Sequence, residues 1–506
     1  MEIPRATKTL ALALVLLALV PVVLWPGDVS WLIDESRILA AAWHANHAGQ
    51  LADGGLYGNF GIRYGPLPTQ IYQVLLAFTH DPIVLAVLRG LLAAGVTAGA
   101  LLWLARSLAL PVWFAAALLV SPHITAFHRI LWDASFCIPL GTLALASLAS
   151  FLRTQRAAPL RLCVGVCAVL PLIHPQALAL AAPILGWLGW RHRAALWRDR
   201  RSLALLGVAL FALHAFYFFQ VAGQLSARFS GSVEKGYPGG GSRALSALAP
   251  LLGGRLLCGA DYLENLARPT ALPALQAAAQ WAARLIYPLI WLGIALSGWR
   301  VARGFRAAGG GGDLPVRDQV AAVALLGLLC QALLAGVMRI PAKPQYFFGA
   351  FALHAFMAWL GVDALRRWRL GVLPGALYAA GAAVLTVSAA LVIHAHGFEL
   401  PRWPTLGNSA SIARELNRFS DPAVETDVVL LQRNPQILRA LRLLLPPAPG
   451  AAQREGARLS IRYTAGEGTG RITLTELDQG GAPPAGAQPL DVTPLPENWQ
   501  PDPATW

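Results

Sequence analysis

The sequence predicts an all-α polytopic membrane protein of about eleven transmembrane helices, ending in a small external α/β appendage. Three observations predict it. Of 506 residues, 56% are hydrophobic and only 13% charged, and the mean hydropathy is +0.53; soluble domains carry about 25% charged residues. Apolar stretches recur through residues 1–395 at lengths near the roughly 20 residues that span a bilayer. The cations, thirty-seven arginines against three lysines, gather between those stretches.

Taken in order, Leu10 to Trp25 is apolar and follows Arg5 and Lys8, so it inserts with its N-terminus in the cytoplasm. No small-residue cleavage site follows Pro21-Val22-Val23-Leu24-Trp25, and the segment reads as a retained anchor. Further apolar stretches lie at about 82–105, 109–127, 135–152, 162–174, 175–190, 202–222, 281–299, 318–338, 344–363 and 371–393. The pair 162–174 and 175–190 is short for spanning and meets at His174-Pro175, which predicts a broken or tilted pair. Arg106, the groups Arg153 to Arg161, Arg191 to Arg201, Arg300 to Arg317 and Arg366 to Arg369 then fall on one side, the cytoplasm. The loop at about 223–280 is external despite Arg228, Lys235, Arg243, Arg255 and Arg268.

An odd number of crossings puts residues 396–506 outside, together with an external loop at 26–65. Beyond His396 the chain turns rich in Pro, Gly and charge. Amphipathic stretches at Ser409–Phe419 and Asn434–Leu445 predict helices, and alternating runs at Arg458–Tyr463 and Arg471–Glu476 predict two paired strands. After about residue 480 the Pro, Ala and Gly content predicts poor order.

The net charge of +14 does not point to nucleic acid, because the arginines sit where membrane topology requires them. Cys137, Cys163, Cys167 and Cys330 read as small packing residues in apolar stretches, Cys258 stands alone, and no disulfide framework or zinc pattern is present. Arginine in place of lysine, with abundant Ala, Leu and Gly, points to a bacterium with a GC-rich genome.

The candidate chemistry lies in the first external loop. Asp34 and Glu35 are acids about ten residues beyond the first crossing, and Arg63-Tyr64-Gly65-Pro66-Leu67 closes the loop. The plain reading is an ordinary helix start, with Asp at the N-cap and Glu in the first turn. Arg63, Arg339 and Lys343 equally suit lipid headgroups, and Arg129 and Asp133 suit a local ion pair. His44 and His47, three apart, allow a divalent cation; no other cofactor is implied.

Together these residues resemble the membrane-embedded glycosyltransferases of the C-type superfamily, particularly family 39, the dolichyl-phosphate-mannose protein mannosyltransferases and bacterial lipid A aminoarabinose transferases. That family carries an Asp-Glu after its first helix, an amphipathic helix, and a basic residue before a Pro-Pro-Leu turn. Asp34-Glu35 and Arg63 with Pro66-Leu67 match it, with Gly65 where the family often has its first Pro. Arg89 and Arg106 are similar to the ends of the family's second helix, and Ser121-Pro122 with Arg129 and Asp133 to its third and fourth. His174 stands where many relatives carry Lys. Met338 to Tyr346 resembles the basic, tyrosine-containing start of a late helix.

The resemblance implies a transfer of sugar from a polyprenyl-phosphate donor to a glycan, lipid or protein acceptor at the periplasmic face of the inner membrane, with membrane lipids as the other partner. Polyprenyl phosphate is already a good leaving group, so such an enzyme needs one base for the acceptor proton and cations for the departing phosphate. It implies an inverting displacement with Asp34 as base and Glu35 in support. Arg63, Tyr64, Arg129, Asp133, Arg339, Lys343 and Tyr346 are the carrier- and substrate-binding candidates. A transporter or lipid-glycan flippase is the alternative, which predicts charges at the bilayer midplane and repeated broken helices. A membrane scaffold presenting the appendage is a third.

Overall fold

The computed structural model describes residues 5–58, 63–229, 254–264, 273–307, 314–338, 344–370, 372–396, 398–400, 403–420, 422–446, 457–465, 470–478, 481–483 and 490–491. Its membrane part begins with α1 (Arg5–Leu24), α2 (Ile33–His47), α3 (Leu67–Leu76), α4 (Pro82–Leu108), α5 (Val112–Leu119) and α6 (Pro122–Arg129). It continues through α7 (Cys137–Thr154), α8 (Ala157–Val169), α9 (Leu178–Arg191), α10 (Arg193–Arg198) and α11 (Arg200–Phe229), the last kinked at His214. Two short helices, α12 (Gly254–Cys258) and α13 (Ala260–Glu264), precede α14 (Pro273–Arg284), α15 (Ile286–Ala307), α16 (Val316–Met338), α17 (Phe351–Arg367) and α18 (Leu373–His396).

Among the described residues, seven helical stretches are long and apolar enough to cross a membrane, and two shorter apolar helices join them at Thr9–Leu24 and Ala157–Leu172. The stretch at 109–127, read from sequence as one crossing, is two eight-residue helices, α5 and α6. Pro111 precedes the first, and Ser121-Pro122 separates the pair because the residue before a proline is held out of helical geometry. The expected break at His174-Pro175 is present: α8 runs into a tight 3-10 turn at Leu170–Leu172, another follows at Pro175–Ala177, and α9 starts beyond it.

Helix α4 packs along α7, and α15 along α17. The latter contact is very close. A Cβ on Gly293 would fall 1.9 Å from the Met357 carbonyl oxygen, and one on Gly361 2.2 Å from that of Leu289. Small residues therefore face each other where the backbones touch, as in membrane helix pairs generally.

The appendage holds α19 (Leu406–Leu416), α20 (Val429–Arg433) and α21 (Gln436–Leu444). Strands β1 (Phe398–Leu400) and β2 (Trp403–Pro404) pair antiparallel. A second sheet has the order β3 (Ala423–Thr426), β4 (Arg458–Ala465), β5 (Gly470–Leu477) and β6 (Leu490–Asp491), with β3 parallel to β4 and the rest antiparallel. The two strands expected from sequence are β4 and β5, paired from Arg458 opposite Leu477 to Ala465 opposite Gly470. Most of the chain after residue 480 lies outside the described residues.

Candidate active site

Helix α2 begins at Ile33, and its first turn is held by Glu35, whose Oε2 accepts the Leu32 N–H at 3.0 Å. Glu35 is 2% exposed. The expectation of Asp34 at the N-cap is thus corrected: Leu32 takes that position, and the carboxylate doing the capping is Glu35. Asp34 is left for other contacts. It is half-buried, and the Trp132 indole reaches its carboxylate. Burial pushes Asp34 above the ordinary carboxylate range, against the opposing pull of Arg37 and Trp132.

Trp132 and Asp133 follow α6 and precede a 3-10 turn at Ala134–Phe136. Asp133 Oδ1 accepts the Ala134 N–H at 2.6 Å, while Oδ2 is buried without a hydrogen-bond partner. Burial pushes its carboxyl up to about 7; the Ala134 N–H opposes that shift, and the nearby Asp34 adds to it. Two acids from separate parts of the chain are therefore neighbours, and their surroundings differ. Asp34 has a cation and an indole to favour its charged form. Asp133 has only backbone.

Arg89 fixes this turn in place. Fully buried in α4, it donates to the Phe127 carbonyl at 2.6 Å and also to the His128 carbonyl and Ser135 Oγ, and lies 4.8 Å from the Phe136 ring centre. One guanidinium thereby joins the end of α6 to the turn after Asp133. Arg129, one of the carrier-binding candidates, donates to the Trp25 carbonyl, and its charge acts on Asp28. Asp28 in turn bonds His394 at 2.9 Å, and the His394 ring stacks on Trp25 at 4.5 Å.

Arg63 forms an ion pair with Asp53 at 2.9 Å, donates to the Gly55 carbonyl at 3.2 Å, and faces Gln220 at 3.4 Å. Tyr64 lies over His174, ring centres 4.3 Å apart. Next to it, a Cβ on Gly65 would fall 1.8 Å from the Leu172 oxygen. No side chain fits there, which accounts for Gly where the resemblance expects Pro. The loop thus sits on the broken pair, whose turn at Pro175–Ala177 touches the 3-10 turn at Pro344–Ala350; that turn touches Ala134–Phe136. Tyr346 belongs to it and accepts from Gln331 through its carbonyl at 3.4 Å. Arg63, Tyr64, Tyr346, Asp34 and Asp133 are accordingly linked through one layer of turns at one end of the bundle. Arg339 and Lys343 lie outside the described residues.

The appendage anchors the strand that leads to Asp34. Leu406 and Gly407 N–H groups donate to the Val29 and Gly27 carbonyls at 2.8 and 3.0 Å, Ser30 bridges Thr405, and the buried Trp31 indole donates to the Ile437 carbonyl at 3.3 Å. Arg414 pairs with the buried Asp81 at 3.0 Å. His44 and His47 both lie against Trp43, and His47 bonds the Trp43 carbonyl at 2.9 Å. Among the described residues no group of three or more potential metal ligands occurs.

Sequence reasoning missed Asp28, Arg37, Trp132 and His394. Trp132 flanks Asp133, Asp28 lies in the same external loop as Asp34, and Arg37 follows Asp34 by about one helical turn. Nothing in the sequence joins His394 to Asp28.

The fold and site define a polytopic helical membrane protein with acids at one end of its bundle, beside an α/β appendage. Comparison with family models gives no match, and neither does comparison with curated proteins. Among solved structures, the chain is similar to ArnT from Cupriavidus metallidurans in the apo state: 17% identity, 90% of this chain and 93% of that one covered, TM-score 0.50. The same protein bound to undecaprenyl phosphate aligns at 18% identity over 89% and 92% of the chains, with a TM-score of 0.38. The first of these likenesses is one of fold.

Proposed function

We propose that this protein transfers a sugar from a polyprenyl-phosphate carrier to an acceptor at the periplasmic face of a bacterial inner membrane. The observation that carries the reading is the meeting of Asp34 with Asp133 in the layer of turns that also carries Arg63 and Tyr64. The sequence resemblance and the ArnT-like fold support it.

In the proposed reaction the acceptor hydroxyl or amine attacks the anomeric carbon as the sugar–phosphate bond breaks. The acceptor proton goes to Asp34, and the bonding electrons leave with the phosphate. Asp34 is the base because Arg37 and Trp132 favour its charged form, while Asp133, pushed up to about 7, keeps its proton longer. Environments that split two neighbouring acids in this way separate their roles. Burial raises Asp34 and so makes it a stronger base than a solvated carboxylate. Arg63, Arg339 and Lys343 supply positive charge to the leaving phosphate, with Tyr64 and Tyr346 beside it. Arg63 exchanges its Asp53 partner for the phosphate. Arg89 and Arg129 position the turn and the end of α1.

The test is mass spectrometry of envelope lipids, glycans and proteins from a strain lacking the gene, alongside transfer by the purified chain from a polyprenyl-phosphate sugar. One sugar should disappear from one class of acceptor. An unchanged envelope together with no transfer would overturn the reading.

A further inference from the structure

At the end of the bundle remote from Asp34, three guanidiniums converge on one carboxylate. Asp363, 2% exposed, receives Arg317 at 2.5 Å and Arg366 and Arg367 at 2.9 Å, while Arg300 holds Asp318 at 3.1 Å. Asp363 lies near the far end of α17, which starts directly after the turn at Pro344–Ala350; at 1.5 Å per residue the run from Phe351 to Asp363 is about 20 Å. Four cations here face two anions. Each guanidinium has five N–H donors in a rigid fork, whereas one carboxylate takes about four in all. Arg317 Nε is buried without a hydrogen-bond partner.

Arg300, Arg317 and Arg367 with Asp318 and Asp363 line a cavity of about 260 Å³ that also includes Ser297 and Trp368. We propose that it binds the phosphodiester headgroup of an anionic phospholipid from the leaflet at that end of the protein. Asp363 sets the spacing of the arginines, and the surplus charge and unused donors receive the phosphate oxygens. Guanidinium suits this task, since its paired N–H groups match two phosphate oxygens at once. A lipid is favoured over a soluble phosphate by place. The cluster lies at the ends of three membrane-length helices, with Trp299 and Trp368 exposed beside it, as tryptophans sit at headgroup level.

The experiment uses the purified full-length chain in detergent and measures lipid retained by native mass spectrometry, offering dioleoylphosphatidylglycerol or dioleoylphosphatidylcholine. Wild type should retain the anionic lipid and not the zwitterionic one. The double variant Arg300→Gln, Arg367→Gln leaves Arg317, Arg366 and Asp363 in place, and should retain at least about tenfold less, the worth of one lost charge-assisted contact. Equal retention of both lipids by wild type, which needs no variant, would overturn the proposal. So would undiminished retention by a folded variant. Inorganic phosphate at millimolar concentration should not displace the lipid; displacement would make this a site for soluble phosphate.

Discussion

At one end of the bundle Asp363 is buried among Arg317, Arg366 and Arg367; at the other, half-buried Asp34 lies beside buried Asp133, whose Oδ2 has no hydrogen-bond partner. Both are carboxylates withdrawn from water, yet what surrounds them differs. A carboxylate ringed by cations is engaged on every side and has nothing to do but hold its partners. Two neighbouring acids raised by burial, Asp133 up to about 7, take a proton more readily than solvated carboxylates do, the condition a base requires. The same residue type is therefore a clamp in one place and a chemical group in the other, and position in the sequence does not say which.

The largest effect on stability should come from the clamp. Asp363→Asn leaves three guanidiniums facing one another, and loss of one partner from a buried ion pair costs about 3–5 kcal/mol. Thermal unfolding in detergent should show it as a drop of several degrees, with transfer per folded molecule little changed. A loss of transfer without a loss of stability would erase the contrast between the two ends.

Asp133→Asn should act oppositely and with pH. The folded carboxyl titrates at about 7 against 3.8 for the ordinary group, so between these values the folded state holds more protons than the unfolded one and Asp133 contributes less stability as pH rises. The variant lacks that loss. Its stability, followed by thermal unfolding, should gain on wild type as pH rises from 5 to 7, by an amount on the order of a few kcal/mol. Parallel curves over that range would show that Asp133 is solvated.

Glu35→Gln should be the mildest, because Gln also accepts the Leu32 N–H; Glu35→Ala loses the contact and about 1 kcal/mol. Both should keep most of their turnover. If Glu35→Gln instead abolished it, the roles of the two adjacent acids would be reversed.

Much of this organisation was legible in the sequence because it follows from apolar length and arginine spacing. The break at His174-Pro175, the helical appendage segments and the β4–β5 pair came from local chemistry that a short window contains. The stretch at 109–127 was misread since its composition is apolar throughout, and only Ser121-Pro122 divides it. The acid pair was visible, but its division of labour was not. Capping depends on where the first helical turn closes, and a shift of one residue moved that task from Asp34 to Glu35. Contacts such as Asp28 with His394 join residues hundreds apart and leave no local trace.

The central claim is that Asp34 removes the acceptor proton, and Asp34→Asn tests it most directly. Asn keeps the shape and takes no part in the cap, so folding and donor binding should stay intact. The measurement is single-turnover transfer by the purified variant, with donor-lipid binding followed in the same preparation. We expect transfer to fall by about 10²–10⁴-fold, the usual worth of a general base, at unchanged donor affinity. Transfer within a few-fold of wild type would contradict the account.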